Sequence, residues 1–262
     1  MQRSLHTAAT GMEAQQLNID VIANNLANVK TSGFKKSRAD FQDLFYQQIR
    51  AAGTAEEGLD TAAPNALEVG HGTRPIGTQK MWTTGDFLNT NNELDLAIEG
   101  NGFFRVRQAN GTLVYTRAGN FKLNSEGTIV NAEGRALDPP INVPPETVQI
   151  RIDQDGSVKA VQPDEIEPVD VGQIEMTRFV NPAGLRAIGH NLFEATEASG
   201  PPIDGIAGED GMGRIAQGML ESSNVAVVEE MIDLIASQRA YEINSKVIQS
   251  TDQMLALLAQ LR

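Results

Sequence analysis

Three histidines, His6, His71 and His190, are the side chains best suited to ligate a metal or shuttle a proton, and they lie far apart along the chain. None stands in the His-Glu-x-x-His spacing that puts two imidazoles on one helical face, and a bound metal needs three or four convergent donors. Each reads as a surface or packing residue. The stretch Asp153-Gln154-Asp155-Gly156-Ser157 opens like a calcium loop, but that frame wants Gly sixth and Glu twelfth, where this chain has Val158 and Asp164. A hairpin turn at Asp155-Gly156 suits it better. Glycine-rich 100–102 and 208–213 lack the phosphate-cradling spacing and lysine, and the Gly-x-Ser-x-Gly nucleophile turn is absent. Pairs such as Glu229-Glu230 and Asp164-Glu165 are common in so acidic a chain and mark no acid–base couple. The expectation is no catalytic residue, no cofactor and no metal.

Charge narrows the classes further. The 21 basic and 34 acidic side chains give −13, which opposes nucleic-acid binding. Residues 1–30 are neutral and residues 219–262 carry −3, so most of the negative charge sits in the centre. Weakly charged ends can approach copies of themselves. There is no cysteine, hence no disulfide frame. Hydrophobic content of 40% with 5% aromatics predicts packing by Ala, Val, Ile and Leu without a large aromatic core. No stretch reaches membrane-span length, and the start lacks the pattern of a cleavable secretory signal.

The elements that carry these residues are helix, β, helix. Leu5, Ala9, Met12, Gln16, Ile19, Ala23 and Leu26 recur in steps of four and three, and so do Ala236, Ala240, Ile243, Val247, Ser250, Met254, Leu257 and Leu261. This beat predicts a helix seam that wants a partner helix. The second helix is expected to begin near Asn224 as N-cap, with Glu229, Glu230 and Asp233 early and Arg239, Lys246 and Arg262 late, as the helix dipole favours. Helices over 5–28 and 225–261 would measure about 36 and 55 Å, leaving about 20 Å of the longer uncovered. Ala9, Ala23, Ala236 and Ala240 permit close approach, and Gln16 and Ser250 are candidate register residues. The ends are expected to become helical on assembly. Residues 35–50 read as a second helix or an extended arm, and 51–68 as a loop. From residue 69 the pattern turns β, with strands at 95–98, 103–107, 113–117, 120–123, 128–130, 148–152, 158–161 and 169–179 arranged as a meander or small barrel. Residues 199–213 read as a loop.

Residues 22–35 read IANNLANVKTSGFK. Ala23, Asn24, Asn25, Leu26, Ala27 and Asn28, followed by Thr31, Gly33, Phe34 and Lys35, resemble the signature of bacterial flagellar axial proteins, the rod and hook family. Residues 223–254 are similar to that family's terminal helix, and 98–120 to its β domain. The resemblance implies an α+β fold in which paired, coiled-coil-like N- and C-terminal helices accompany a central antiparallel β domain and an extended arm. It implies three regions: 1–34 with 219–262 as a helical polymerisation domain, 35–80 as the arm, and 81–218 as an outer β-rich domain. It further implies a hollow helical homopolymer in the periplasm that transmits torque. The implied partners are further copies, proximal rod and hook axial proteins, bushing rings and the flagellar export apparatus. The two seams are the expected polymer interface. The arm and the length are most like the distal rod members; a proximal rod or short hook protein is the alternative, and a growth-ending cap or a wall hydrolase are readings from other classes. Residues 51–68 are expected to stiffen the polymer, so that deleting them softens or curves it.

Overall fold

The computed structural model describes residues 2–51, 65–163 and 168–260. Leu261, Arg262, the Asp164-Glu165 pair and most of the loop expected at 51–68 lie outside the described residues. The chain divides into two compact units. One joins residues 1–26, 37–79 and 226–262; the other joins 27–36 and 80–225. The arm thus groups with the helices, while the Thr31–Lys35 motif groups with the β-rich unit.

In the first unit, helix α1 covers Gln2–Ala27 and helix α2 covers Val227–Gln260. With 26 and 34 residues, their difference in length is about 12 Å, smaller than expected from the sequence. Asn224 does not cap α2. Its carboxamide oxygen accepts from Lys36 N at 2.7 Å and its nitrogen donates to Met81 O at 2.8 Å, both in the β-rich unit. The first helical bond runs from Glu230 N to Ala226 O. The arm is extended, not helical: strand Ser37–Asp43 pairs with Thr73–Lys80, and Tyr46–Arg50 pairs antiparallel with Leu67–Gly70. Aromatic Phe41, Phe45 and Tyr46 favour strand over helix there. The ribbon is pinned to α1 at Gly72, where an added Cβ would stand 2.2 Å from Thr10 Oγ1.

The β-rich unit holds a six-stranded sheet ordered Arg186–Gly189, Leu192–Glu194, Leu113–Thr116, Phe103–Arg107, Glu175–Arg178 and Ile203–Ile206. In this sheet only the 103–107/113–116 and 186–189/192–194 pairs are local hairpins and the other neighbours pair at long range, so a meander in chain order is confined to strands 149–173. Ile203–Ile206 lies inside the stretch read as a loop; Gly and Pro around it masked a short edge strand whose pairing with Glu175–Arg178 is tertiary. Strands Gln149–Ile152, Ser157–Val161 and Val169–Gln173 form a second sheet. The turn at Asp155-Gly156 is as expected: Gly156 has φ +87°, and Asp155 Oδ1 accepts from Ser157 N at 3.0 Å.

Two cores fill this unit. The larger is aliphatic, built around Leu96, Ile98, Val106, Leu137, Ile174 and Ile215 with Phe104 and Phe121. The smaller adds a feature that composition did not show, while the aliphatic main core is as expected. Phe103, Tyr115, Phe179 and Phe193 form an aromatic cluster against Trp82, with the indole 4.9 Å from both Phe103 and Phe193 in edge-to-face contact. A low aromatic count does not prevent clustering when distant strands gather the few rings together.

Candidate assembly interface

Contacts between α1 and α2 fall at seven-residue intervals that run in opposite directions along the two helices. Asn25 Nδ2 donates to Glu230 Oε2 at 3.1 Å, and Asn18 Nδ2 to Ser237 Oγ at 2.8 Å. One heptad further on, a Cβ on Gly11 would meet Asn244 Nδ2 at 2.9 Å. The helices are therefore antiparallel in a register where paired residue numbers sum to 255. The buried stripe runs through Ala8, Ala14, Ile22 and Asn25 on α1 and through Glu230, Ser237 and Thr251 on α2. Polar and small side chains hold the seam, which allows the backbones to come close and makes one register far better satisfied than its neighbours.

The seam expected from the apolar beat is displaced from this one by a single residue, forward on α1 and backward on α2. One residue is about 100° of helix rotation. On antiparallel helices those two displacements point to opposite sides of the two-helix ribbon. Ala9, Gln16 and Ala23 are accordingly exposed, with Leu5, Met12, Ile19 and Leu26 half-buried. Ala236, Ile243, Val247, Ser250, Met254 and Leu257 are exposed and Ala240 is half-buried. Gln16 and Ser250 do not set the in-chain register; the Ser250 hydroxyl donates to Val247 O within its own helix. The residues that do set it, Gly11, Asn18 and Asn25 against Asn244, Ser237 and Glu230, are small or polar and so lie outside the apolar beat. Their own seven-residue spacing was the available signal.

The family-signature residues divide into two jobs. Asn25 clasps the start of the arm: its Oδ1 accepts from Ser37 N and its Nδ2 donates to Ser37 O, each at 2.9 Å. Ala23, Asn24 and Ala27 are exposed. Asn28 Oδ1 accepts from the Thr31 hydroxyl, and Phe34 N donates to Thr31 O, which shapes the turn. Gly33 then passes at φ +70°, where a Cβ would lie 2.6 Å from Ala118 N and 2.7 Å from Arg117 C. Gly33→Ala is expected to cost about 3 kcal/mol through combined strain and overlap with immobile backbone. Urea unfolding read by Trp82 emission measures it; an unchanged midpoint would show that the turn has room.

That turn delivers Lys35 to a buried charge cluster. Its ammonium donates to Glu221 Oε1 at 2.5 Å and to Thr83 O at 2.7 Å. Arg117 Nε donates to Glu221 Oε2 at 3.1 Å, and its terminal nitrogens donate to Gly102 O and Gly100 O. Both side chains of the Lys35–Glu221 pair have no solvent exposure. Burial holds the Lys35 pKa below its ordinary value, outweighing the attraction of Glu221. Glu221 O also accepts from Gly33 N at 2.8 Å, so the segment following α1 and the strand preceding α2 are fastened at one point.

The histidines show no joint chemistry. His6 Nδ1 lies 3.3 Å from His71 O, and His190 pairs with Glu133. Among the described residues no group of three or more His, Cys, Asp or Glu is placed to hold a metal ion.

The sequence segments that build these helices and the β-rich unit match those of known proteins. Residues 5–35 match the family Flagella basal body rod protein, and 216–261 match Flagellar basal body rod FlgEFG protein C-terminal. Residues 97–160 match the Flagellar hook protein FlgE/F/G D1 domain. The Flagellar basal-body rod protein FlgG of Borreliella burgdorferi is 49% identical over 264 residues, covering 100% of this chain and 99% of that one. The chain belongs to the flagellar basal-body rod protein family. The FlgG protein of Caulobacter vibrioides is 44% identical over 99% of both chains, and that of Bacillus subtilis 38% identical over the full length of both. This rod-family chain is thus a structural component of the flagellar basal body. Among its described residues no helix is long and apolar enough to cross a membrane.

Proposed function

We propose that this chain is the repeating subunit of the distal rod, a hollow helical shaft that transmits torque from motor to hook. The carrying observation is the outward face of α2. Ile243, Val247, Met254 and Leu257 stand exposed in a single chain at the spacing of a helix seam, while the in-chain partner is already satisfied through the polar stripe. A contiguous exposed apolar face of this kind marks an association surface. The α1 and α2 faces point to opposite sides, so copies associate head to tail and the contact repeats without closing on a dimer. The arm supports the distal position: Phe45, Tyr46, Ile49 and Ile76 stand exposed along its paired strands and offer a second apolar surface for a neighbour. The expected contacts beyond further copies are proximal rod and hook proteins at the two ends, bushing rings around the shaft and the export apparatus on the way out. Negative-stain microscopy of concentrated protein tests this. Straight hollow rods are the expected result; particles that never lengthen would favour a growth-ending cap.

A further inference from the structure

A cavity of about 400 Å³ in the β-rich unit is lined by Trp82, Gly100, Asn101, Phe103, Arg178 and Val180, among others. Arg178 is the unusual member. Arg105 of the same unit is ion-paired with Asp138, Glu175 and Asp204, and Arg117 with Glu221 while it donates to two backbone carbonyls. The half-buried Arg178 side chain has no hydrogen bond or ion pair among the described residues, and its Nε is shut off from solvent without an acceptor. The indole N–H of Trp82 likewise has no acceptor among the described residues. A guanidinium beside aromatic rings sits in a low-dielectric setting, where a charge-assisted bond to a carboxylate is strong and geometrically selective. At the rim Val180 is an apolar residue 77% exposed, which a covering surface would bury. The occupant follows from charge: each copy of this chain carries −13, so a neighbouring copy offers carboxylates in excess.

We propose that this cavity receives a carboxylate side chain of a second copy of this chain, gripped by Arg178 above the Trp82–Phe103 floor. The inference rests on the rod-subunit reading and adds a contact of the β-rich unit to those of the helices. Trp82 is the chain's single tryptophan, so the cavity carries its own reporter. The experiment follows assembly of the full chain by sedimentation and by acrylamide quenching of Trp82. Quenching is expected to fall at least about twofold as rods form. Arg178→Gln is expected to raise the concentration needed for assembly about tenfold. Val180→Asp should do the same by repelling the incoming carboxylate, while Val180→Lys assembles as well as the wild type or better. The Val180 pair stands at an exposed position and does not depend on refolding around Arg178. Rods formed by Arg178→Gln at the wild-type concentration, with Trp82 quenching unaltered on assembly, overturn the proposal. Equal impairment by Val180→Asp and Val180→Lys also overturns it, since contact would then lack charge recognition. If rods form and these variants are silent, only this inference falls; if the wild type stays monomeric, the rod-subunit reading falls with it.

Discussion

Replacing Glu221 by glutamine is expected to destabilise the β-rich unit by about 3–5 kcal/mol, because it strips the one carboxylate from two buried cations. Lys35 and Arg117 both donate to it, and Gly85 N donates at 3.1 Å to the oxygen that also accepts from Lys35. Glutamine keeps the shape and an acceptor oxygen, so the loss reports charge and not a cavity. Lys35→Met is expected to cost less. It leaves Glu221 paired with Arg117 and relieves an ammonium whose burial already works against its charge. The variants also differ in pH response. The Lys35 pKa in the folded protein lies below its ordinary value of 10.5, and losing Glu221 removes the attraction that limits this depression. Between the depressed value and 10.5 the unfolded chain holds more protons than the folded one, so stability rises with pH through that window and is lost as pH falls through the folded value. The Glu221→Gln deficit should therefore shrink from neutral pH toward 10.5, and the Lys35→Met deficit should show no such trend. Urea titrations read by Trp82 across that range decide it; a pH-independent deficit in Glu221→Gln would mean that Lys35 is not the burdened group.

The second large effect concerns assembly with the fold intact. Ile243 is 61% exposed, so Ile243→Asp should change the stability of the single chain by no more than about 0.5 kcal/mol. In a rod the same position would be covered. Losing a buried isoleucine removes about 1.5–3 kcal/mol of apolar stabilisation, and an unpaired carboxylate in an apolar contact adds at least about 2 kcal/mol. The sum is at least about 3.5 kcal/mol, or roughly 300-fold or more in the concentration at which rods appear. Val247→Asp, one turn along the same face, should behave alike. Circular dichroism establishes that the helices remain, and sedimentation or microscopy reads the assembly. Rods forming at the wild-type concentration would remove the α2 face from the interface.

Much of this molecule was legible in its residues. The heptad beat announced two terminal helices, and turn dipeptides such as Asp155-Gly156 placed the hairpins, because both signals are local. Gly33 could be recognised in the signature, but not the backbone of Ala118 that makes it obligatory. Nor could the partner of Lys35 be read, since Glu221 lies far along the chain and nothing nearby in sequence selects it from the other carboxylates. The aromatic cluster was likewise hidden, since its members come from separate strands.

What the sequence by itself determined, then, is periodicity: which stretches coil, which extend, and that the coiled ones carry a repeating seam. Which seam faces inward was decided only by the tertiary structure. A seven-residue repeat is satisfied equally by neighbouring columns of the same helix, one residue or about 100° apart, and apolar content marked the column that the in-chain pairing leaves facing outward on α2. Antiparallel docking selected the column where Asn18, Asn25 and Gly11 meet Ser237, Glu230 and Asn244. Polar groups are costly to bury without partners, and the partners exist only once the two ends of the chain lie side by side.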